Sequence, residues 1–179
     1  MGRYSDGRFQ KNFDTNAFLN NIKAIKNLKA TIAPISEELV ELSPIDYVAK
    51  ATLALAKTPK ESMIFHAVSD KLIPNSDIFD ALNSFGFEID EVTPEEFKKI
   101  YEENMNENIQ GMITADLSID DFDFEEEVED EEFDGDYGEL VKIDKTLDIL
   151  NSLGFSWPEC DEEYLERFIG YLNEVHYFD

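Results

Sequence analysis

Between residues 116 and 136 the chain carries 13 acidic side chains and no basic one, and this run decides what the rest can build. That many like charges cannot share a dry core, because each buried carboxylate needs a partner that the run itself does not supply. Residues 115–137 therefore read as a solvated, self-repelling, disordered acidic insertion. It divides the 179 residues into 1–114 and 138–179, which together have the length of one ordinary domain with a single core.

The formal net charge is −26, but residues 1–60 hold nine Lys/Arg against six Asp/Glu, so the acidity belongs to the remainder. A surface of that kind argues against a nucleic-acid partner, since phosphate backbones need basic surfaces. The first 29 residues net +4, a basic edge that is either an ordinary solvated face or an anion site. No apolar run approaches the ~20 residues of a membrane helix and no signal core opens the chain, so no membrane contact and a cytoplasmic location are expected. One cysteine, Cys160, stands with only His66 and His176, which leaves no ligand cluster at metal spacing. The stretch Asp130-Glu131-Glu132-Phe133-Asp134-Gly135 imitates the start of an EF-hand loop, yet its twelfth position is Val141, where a bidentate Glu is required.

Helix punctuation is clear elsewhere. Phe18, Ile22, Ile25 and Leu28 share one face of a helix over 15–29, whose polar face carries Lys23, Lys26 and Lys29. Residues 37–42 suit a short strand, and Ser43-Pro44 with Asp46 reads as a capping box for a helix to about Ala56. Residues 63–68 form a short apolar run expected as a strand buried on both faces, with His66 a core histidine rather than a base. Helices are expected over 75–85, from Pro94, from Lys145 and over 161–174, with a strand at 87–92. Leu82-Asn-Ser-Phe-Gly-Phe87 returns as Leu150-Asn-Ser-Leu-Gly-Phe155, the same αL-glycine helix stop used twice. Gly-x-Gly-x-x-Gly, Gly-x-Ser-x-Gly, Tyr-x-x-x-Lys and His-Glu-x-x-His are all absent, so no catalytic residue is assigned.

The opening Gly2-Arg3-Tyr4-Ser5-Asp6-Gly7-Arg8-Phe9-Gln10 resembles a loop of the terminal thioester reductase domains of nonribosomal peptide synthetases, though the Arg-x-Gly-Asn segment that precedes it there is not present. Glu41-Leu42-Ser43-Pro44-Ile45-Asp46-Tyr47-Val48-Ala49, Phe65-His66-Ala67 and Leu153-Gly154-Phe155-Ser156-Trp157-Pro158 match in the same order. The resemblance implies an α+β, mostly helical chain: the C-terminal substrate lobe plus a late strand of an extended short-chain dehydrogenase fold whose nucleotide-binding half is encoded upstream. It implies a parent enzyme that uses NADPH to reduce a thioester on a phosphopantetheinylated peptidyl carrier protein, releasing aldehyde or alcohol. This chain by itself would bind no cofactor and no metal, and would be inactive. The upstream half of the reductase and the carrier are the implied partners. The binding residues it implies are Arg3, Tyr4, Ser5, Asp6, Gly7, Arg8, Phe9 and Gln10, with Arg3, Arg8 or Lys11 meeting the phosphate of the arm and Phe9 packing on it. A protein-interaction module with an acidic docking segment, and the substrate lobe of a sugar-nucleotide dehydrogenase, are the other classes these residues allow.

Deleting residues 115–137 should leave the thermal midpoint nearly unchanged. A loss above about 2 kcal/mol in denaturant unfolding would mean that Phe122, Phe124 or Phe133 anchors the run in the fold.

Overall fold

A computed structural model of the chain describes residues 3–11, 15–58, 64–104 and 142–179. The acidic insertion expected at 115–137 and the EF-hand-like stretch lie outside the described residues. Helix α1, Ala17–Leu28, starts where the Asn16 side chain accepts from the Leu19 amide at 3.0 Å, and it buries Leu19, Ile22, Ile25 and Leu28 on the face the spacing predicts. It stops at Lys29, a non-glycine residue in the left-handed region. Strand β1, Ala30–Thr31, follows directly, and then the short helix α2, Ala33–Glu37, replaces the first residue of the strand expected at 37–42. Only Leu39–Glu41 is extended, as β2.

Helix α3 spans Ile45–Leu55. Beyond it come β3, Leu72–Pro74; α4, Asn75–Ser84; β4, Asp90–Glu91; and α5, Pro94–Asn104. The C-terminal segment adds α6, Asp144–Ser152, and α7, Glu162–Glu174. The architecture is α+β and mostly helical, as expected, with two small ribbons among the described residues: β1 pairs parallel with β4, and β2 pairs antiparallel with β3. Among the described residues no helix is long and apolar enough to cross a membrane.

The strand expected at 63–68 is a correction. Residues 64–68 pair with no strand among the described residues, Ile64 is 86% exposed, and His66 lies at the surface rather than in a core. A strand needs neighbours for its amides, and here the His66 amide reaches only the Thr146 hydroxyl, at 3.4 Å.

Helix punctuation follows the sequence closely where the signals are local. At both repeated segments the glycine takes positive φ, 84° at Gly86 and 74° at Gly154. Phe87 and Phe155 close back onto the carbonyls of Leu82 and Leu150, the paired bonds of a Schellman stop. Helix α7 ends in the same way without a glycine: His176 sits at φ 59°, and the Tyr177 amide donates to the Leu172 carbonyl at 2.9 Å. Thr93 and Glu96 form a reciprocal capping box at the head of α5.

Burial splits the chain into two clusters. The larger joins α1, α4, α5 and α7 through Leu19, Ile25, Leu82, Phe97, Phe168 and Leu172. The smaller gathers Ala51 and Leu55 of α3, Leu150 of α6 and Trp157, with Tyr47, Phe65 and Phe155 packed against them. The lysines of α1 work inside this fold. Lys23 donates to the carbonyls of Tyr177 and Asp179 at 2.7 and 2.8 Å, and Lys26 donates to that of Phe178 at 2.8 Å. Lys29 pairs with Glu88. Much of the basic edge is thus a clamp on the last residues of the chain, and Tyr177 and Phe178 are buried under it.

Thr93→Ala should cost about 1 kcal/mol through the lost cap. Ser43→Ala should cost about 1–3 kcal/mol, because the buried Ser69 amide that now donates to the Ser43 hydroxyl at 2.7 Å loses its acceptor. Urea unfolding of the two variants checks both values.

Candidate functional site

The opening loop is built as a small arch. Arg3 and Phe9 bridge antiparallel, the Tyr4 amide donates to the Arg8 carbonyl at 2.8 Å, and the Gly7 amide donates to the Tyr4 carbonyl at 3.0 Å. Alternation follows from that pairing, as on a strand. Arg3, Gly7 and Phe9 point inward and are buried, while Tyr4, Asp6 and Arg8 are exposed and Ser5 and Gln10 are half-buried.

The structure therefore divides the residues that the sequence grouped. Arg3 is 1% exposed and its guanidinium lies 4.7 Å from the Phe18 ring centre and 5.9 Å from that of Phe168, with one nitrogen donating to the Glu41 carbonyl at 3.2 Å. Burial lowers its pKa, opposed by the nearby Tyr164, Glu41 and Cys160. Arg3 belongs to the interior. Phe9 does too: it packs at 6.5 Å on Phe168, and its carbonyl accepts from the Tyr171 hydroxyl at 3.3 Å. Arg8 stays outside, its side chain 68% exposed and paired with Asp6 at 2.7 Å. The side-chain hydrogen bond to Asp6 raises the Arg8 pKa and lowers that of Asp6. Lys11 is exposed beside it.

Three contacts fix the arch. The Ile45 amide donates to the Arg3 carbonyl at 2.6 Å. A Cβ placed on Gly7, whose φ is 88°, would come within 2.9 Å of the backbone of Arg167 and Phe168, so the loop lies directly on α7. Asp46 accepts from the Ser5 amide at 2.9 Å and from the Ser5 hydroxyl at 2.6 Å. This last contact corrects the capping box expected at Ser43-Pro44. Pro44 stands at the N-cap position of α3 and gives no side-chain cap; Ser43 holds Ser69, and Asp46 holds the loop. Nothing local signals that choice, because Ser5 lies 41 residues away. Although partial burial works to raise the Asp46 pKa, the bonds from Ser5 and the charge of Lys50 leave it lowered on balance. The folded carboxylate thus keeps its charge below the ordinary range, and its contribution is lost only as pH falls through that depressed value.

Among the described residues no group of His, Cys, Asp and Glu could hold a metal ion. Cys160 donates its thiol to the Leu42 carbonyl at 3.3 Å, and burial pushes its pKa to about 11; it is a buried hydrophobe, not a nucleophile. Burial likewise pushes the Tyr164 hydroxyl to about 12, against the pull of Arg3.

A dinucleotide needs glycines at a strand-to-helix turn, so that backbone amides can approach the pyrophosphate. The described glycines do other work: Gly7 packs on α7, Gly86 and Gly154 stop helices, and Gly170 lies within α7. The described residues do not fit such a cofactor.

No protein-family model matches the chain, and no curated protein matches it. Solved structures do. A thiolation-reductase di-domain from an archaeal non-ribosomal peptide synthetase is 57% identical, with a TM-score of 0.85 across 100% of this chain and 35% of its own length. The reductase domain of the aureusimine biosynthetic cluster superposes with a TM-score of 0.69 at 20% identity, over 98% of this chain and 42% of that one. The terminal R domain of the myxalamid PKS-NRPS pathway gives 0.68 at 13% identity, over 99% and 42%. These last two share the fold. The chain spans about a third of the length of the first relative, and it matches the C-terminal part of such domains.

Gly7→Ala should destabilise the chain by about 2–4 kcal/mol, the sum of left-handed strain and overpacking against α7. Calorimetry or chemical denaturation measures it, and a change below about 1 kcal/mol would mean that the loop lifts off α7 at little cost.

Proposed function

Because this chain belongs to the reductase-domain family of nonribosomal peptide synthetases, as its C-terminal part, we propose that it is the substrate lobe of an NAD(P)H-dependent reductase. That reductase releases an acyl or peptidyl thioester, held on a carrier protein, as aldehyde or alcohol. The observation that carries the reading is the 57% identity running the whole length of this chain, to a protein that joins a thiolation domain to a reductase. Hydride delivery falls to residues beyond this chain, since its described glycines do not fit a dinucleotide. The lobe alone is inactive.

What this chain contributes is recognition. A carrier's prosthetic arm bears a phosphate, and carrier proteins are usually acidic, so an exposed guanidinium on a rigid mount is a suitable contact. Arg8 has that placement, on the outer side of an arch pinned to α3 and α7. Tyr4 stands beside it on the same outer side, 38% exposed. Asp6 accepts from the Arg8 Nε at 2.8 Å and must share the guanidinium when phosphate arrives, so the gain from the contact is modest. Arg3 and Phe9 support the arch from within, and the open groove of about 280 Å³ between α3 and residues Phe65 and Ala67 is the face offered to the upstream half of the reductase.

In the intact reductase, Arg8→Ala should raise KM for the carrier-bound thioester several-fold while leaving a short free thioester, which lacks the phosphate, little changed. The same nicotinamide absorbance assay on this chain alone should stay at the blank rate. Equal effects on both thioesters would make the loop structural, and no effect on either would remove Arg8 from the site.

A further inference from the structure

We infer that Asp46 is a positioning residue for carrier-bound substrate: its carboxylate holds the opening loop, through Ser5, in the one shape that projects Tyr4 and Arg8 outward. The inference rests on the proposed recognition role of Arg8 and adds to it a residue that touches neither substrate nor cofactor.

Geometry carries it. One oxygen of Asp46 accepts from the Ser5 amide at 2.9 Å and the other from the Ser5 hydroxyl at 2.6 Å, so both donors that Ser5 offers meet a single carboxylate. Two charge-assisted bonds to one residue fix its orientation as well as its position. Ser5 occupies the turn of the arch between Tyr4 and Asp6, which are the residue and the Arg8 partner that stand exposed.

The helix forgoes something for this arrangement. Asp46 lies in the first turn of α3, where a carboxylate is well placed to cap free amides, yet α3 has no side-chain cap. Lys50, one turn on and exposed, stands 3.6 Å from the same Oδ2 that accepts from the Ser5 hydroxyl at 2.6 Å, and its charge favours the ionised carboxylate. Residues 41 apart are joined this way, so the link fixes the loop relative to α3 rather than stabilising either element locally. The remaining fixings, the Arg3 carbonyl and Gly7 on α7, hold the two legs of the arch. Gly7 on α7 and the Gly7 amide bond to the Tyr4 carbonyl also hold the turn, and Asp46 adds to them a side chain from α3 that fixes Ser5 at its crown.

The test combines amide exchange on this chain with kinetics on the intact reductase. Ser5→Ala and Asp46→Asn should each speed deuterium uptake in residues 3–10 about tenfold or more, with the amides of α4 and α7 unchanged. Both should raise KM for the carrier-bound thioester several-fold, keep kcat within about twofold and spare the short free thioester, while Ser5→Thr restores the parent behaviour. Combined with Arg8→Ala, Asp46→Asn should add nothing further to KM, since it acts through Arg8. Unchanged exchange in residues 3–10 overturns the inference outright, and so does loosening that spreads to α4 and α7. A loosened loop with unchanged KM also overturns it, and the Arg8→Ala arm then separates the cases: if that variant still raises KM the proposed function stands, and if it does not, that reading falls as well.

Discussion

The fold depends on one buried cation. The Arg3 guanidinium lies between the rings of Phe18 on α1 and Phe168 on α7, donates to the carbonyl of Glu41 on β2, and carries a backbone carbonyl that receives the Ile45 amide of α3. One residue thus touches four elements. Burying a charge is costly in general, and it is tolerated where aromatic faces and carbonyl oxygens replace water. The consequence is that the opening loop is fixed from inside, and its exposed side chains inherit the order of the core.

Around that point the C-terminal segment is divided between two cores. Helix α6 and Trp157 join α3 in the smaller cluster, while α7 lies along α4 in the larger. The opening loop sits where the two meet, with Asp46 of α3 on one side and the backbone of α7 under Gly7 on the other. Lys23 and Lys26 then fasten the last residues onto α1, closing the larger core beneath Tyr177 and Phe178. Charges that read as a possible anion surface are largely spent on carbonyls of the same chain, which leaves Arg8 as the cation presented on a rigid mount in the loop.

At the surface beside the smaller cluster Leu53 and Ile64 are exposed, and residues 64–68 have no strand partner among the described residues. A two-stranded ribbon or a lone extended segment does not stabilise itself in water. The chain spans about a third of the length of a related reductase.

Local chemistry made much of this legible in the sequence. The apolar face of α1, the start of α5 at Pro94 and the paired Leu-Gly-Phe and Phe-Gly-Phe stops depend on residues a few positions apart, so spacing alone specified them. The order of family-like segments likewise pointed to the C-terminal part of a reductase domain. Tertiary structure alone decided which of those residues face water. Arg3 and Arg8 look equivalent in the sequence, yet antiparallel pairing with Phe9 sends the first into the core and leaves the second outside. Asp46 reads as a helix cap, yet it serves Ser5; residues 63–68 read as a buried strand, yet their described part lacks the partners that burial requires. His176 stops a helix where glycine is the expected signal, because the burial of Tyr177 and Phe178 behind it holds that backbone. The contacts that bury Arg3 under Phe18, Glu41 and Phe168, and the bond of Asp46 to Ser5, join residues distant in the chain, and a side chain's partner across such a distance is set by packing, which local spacing does not encode.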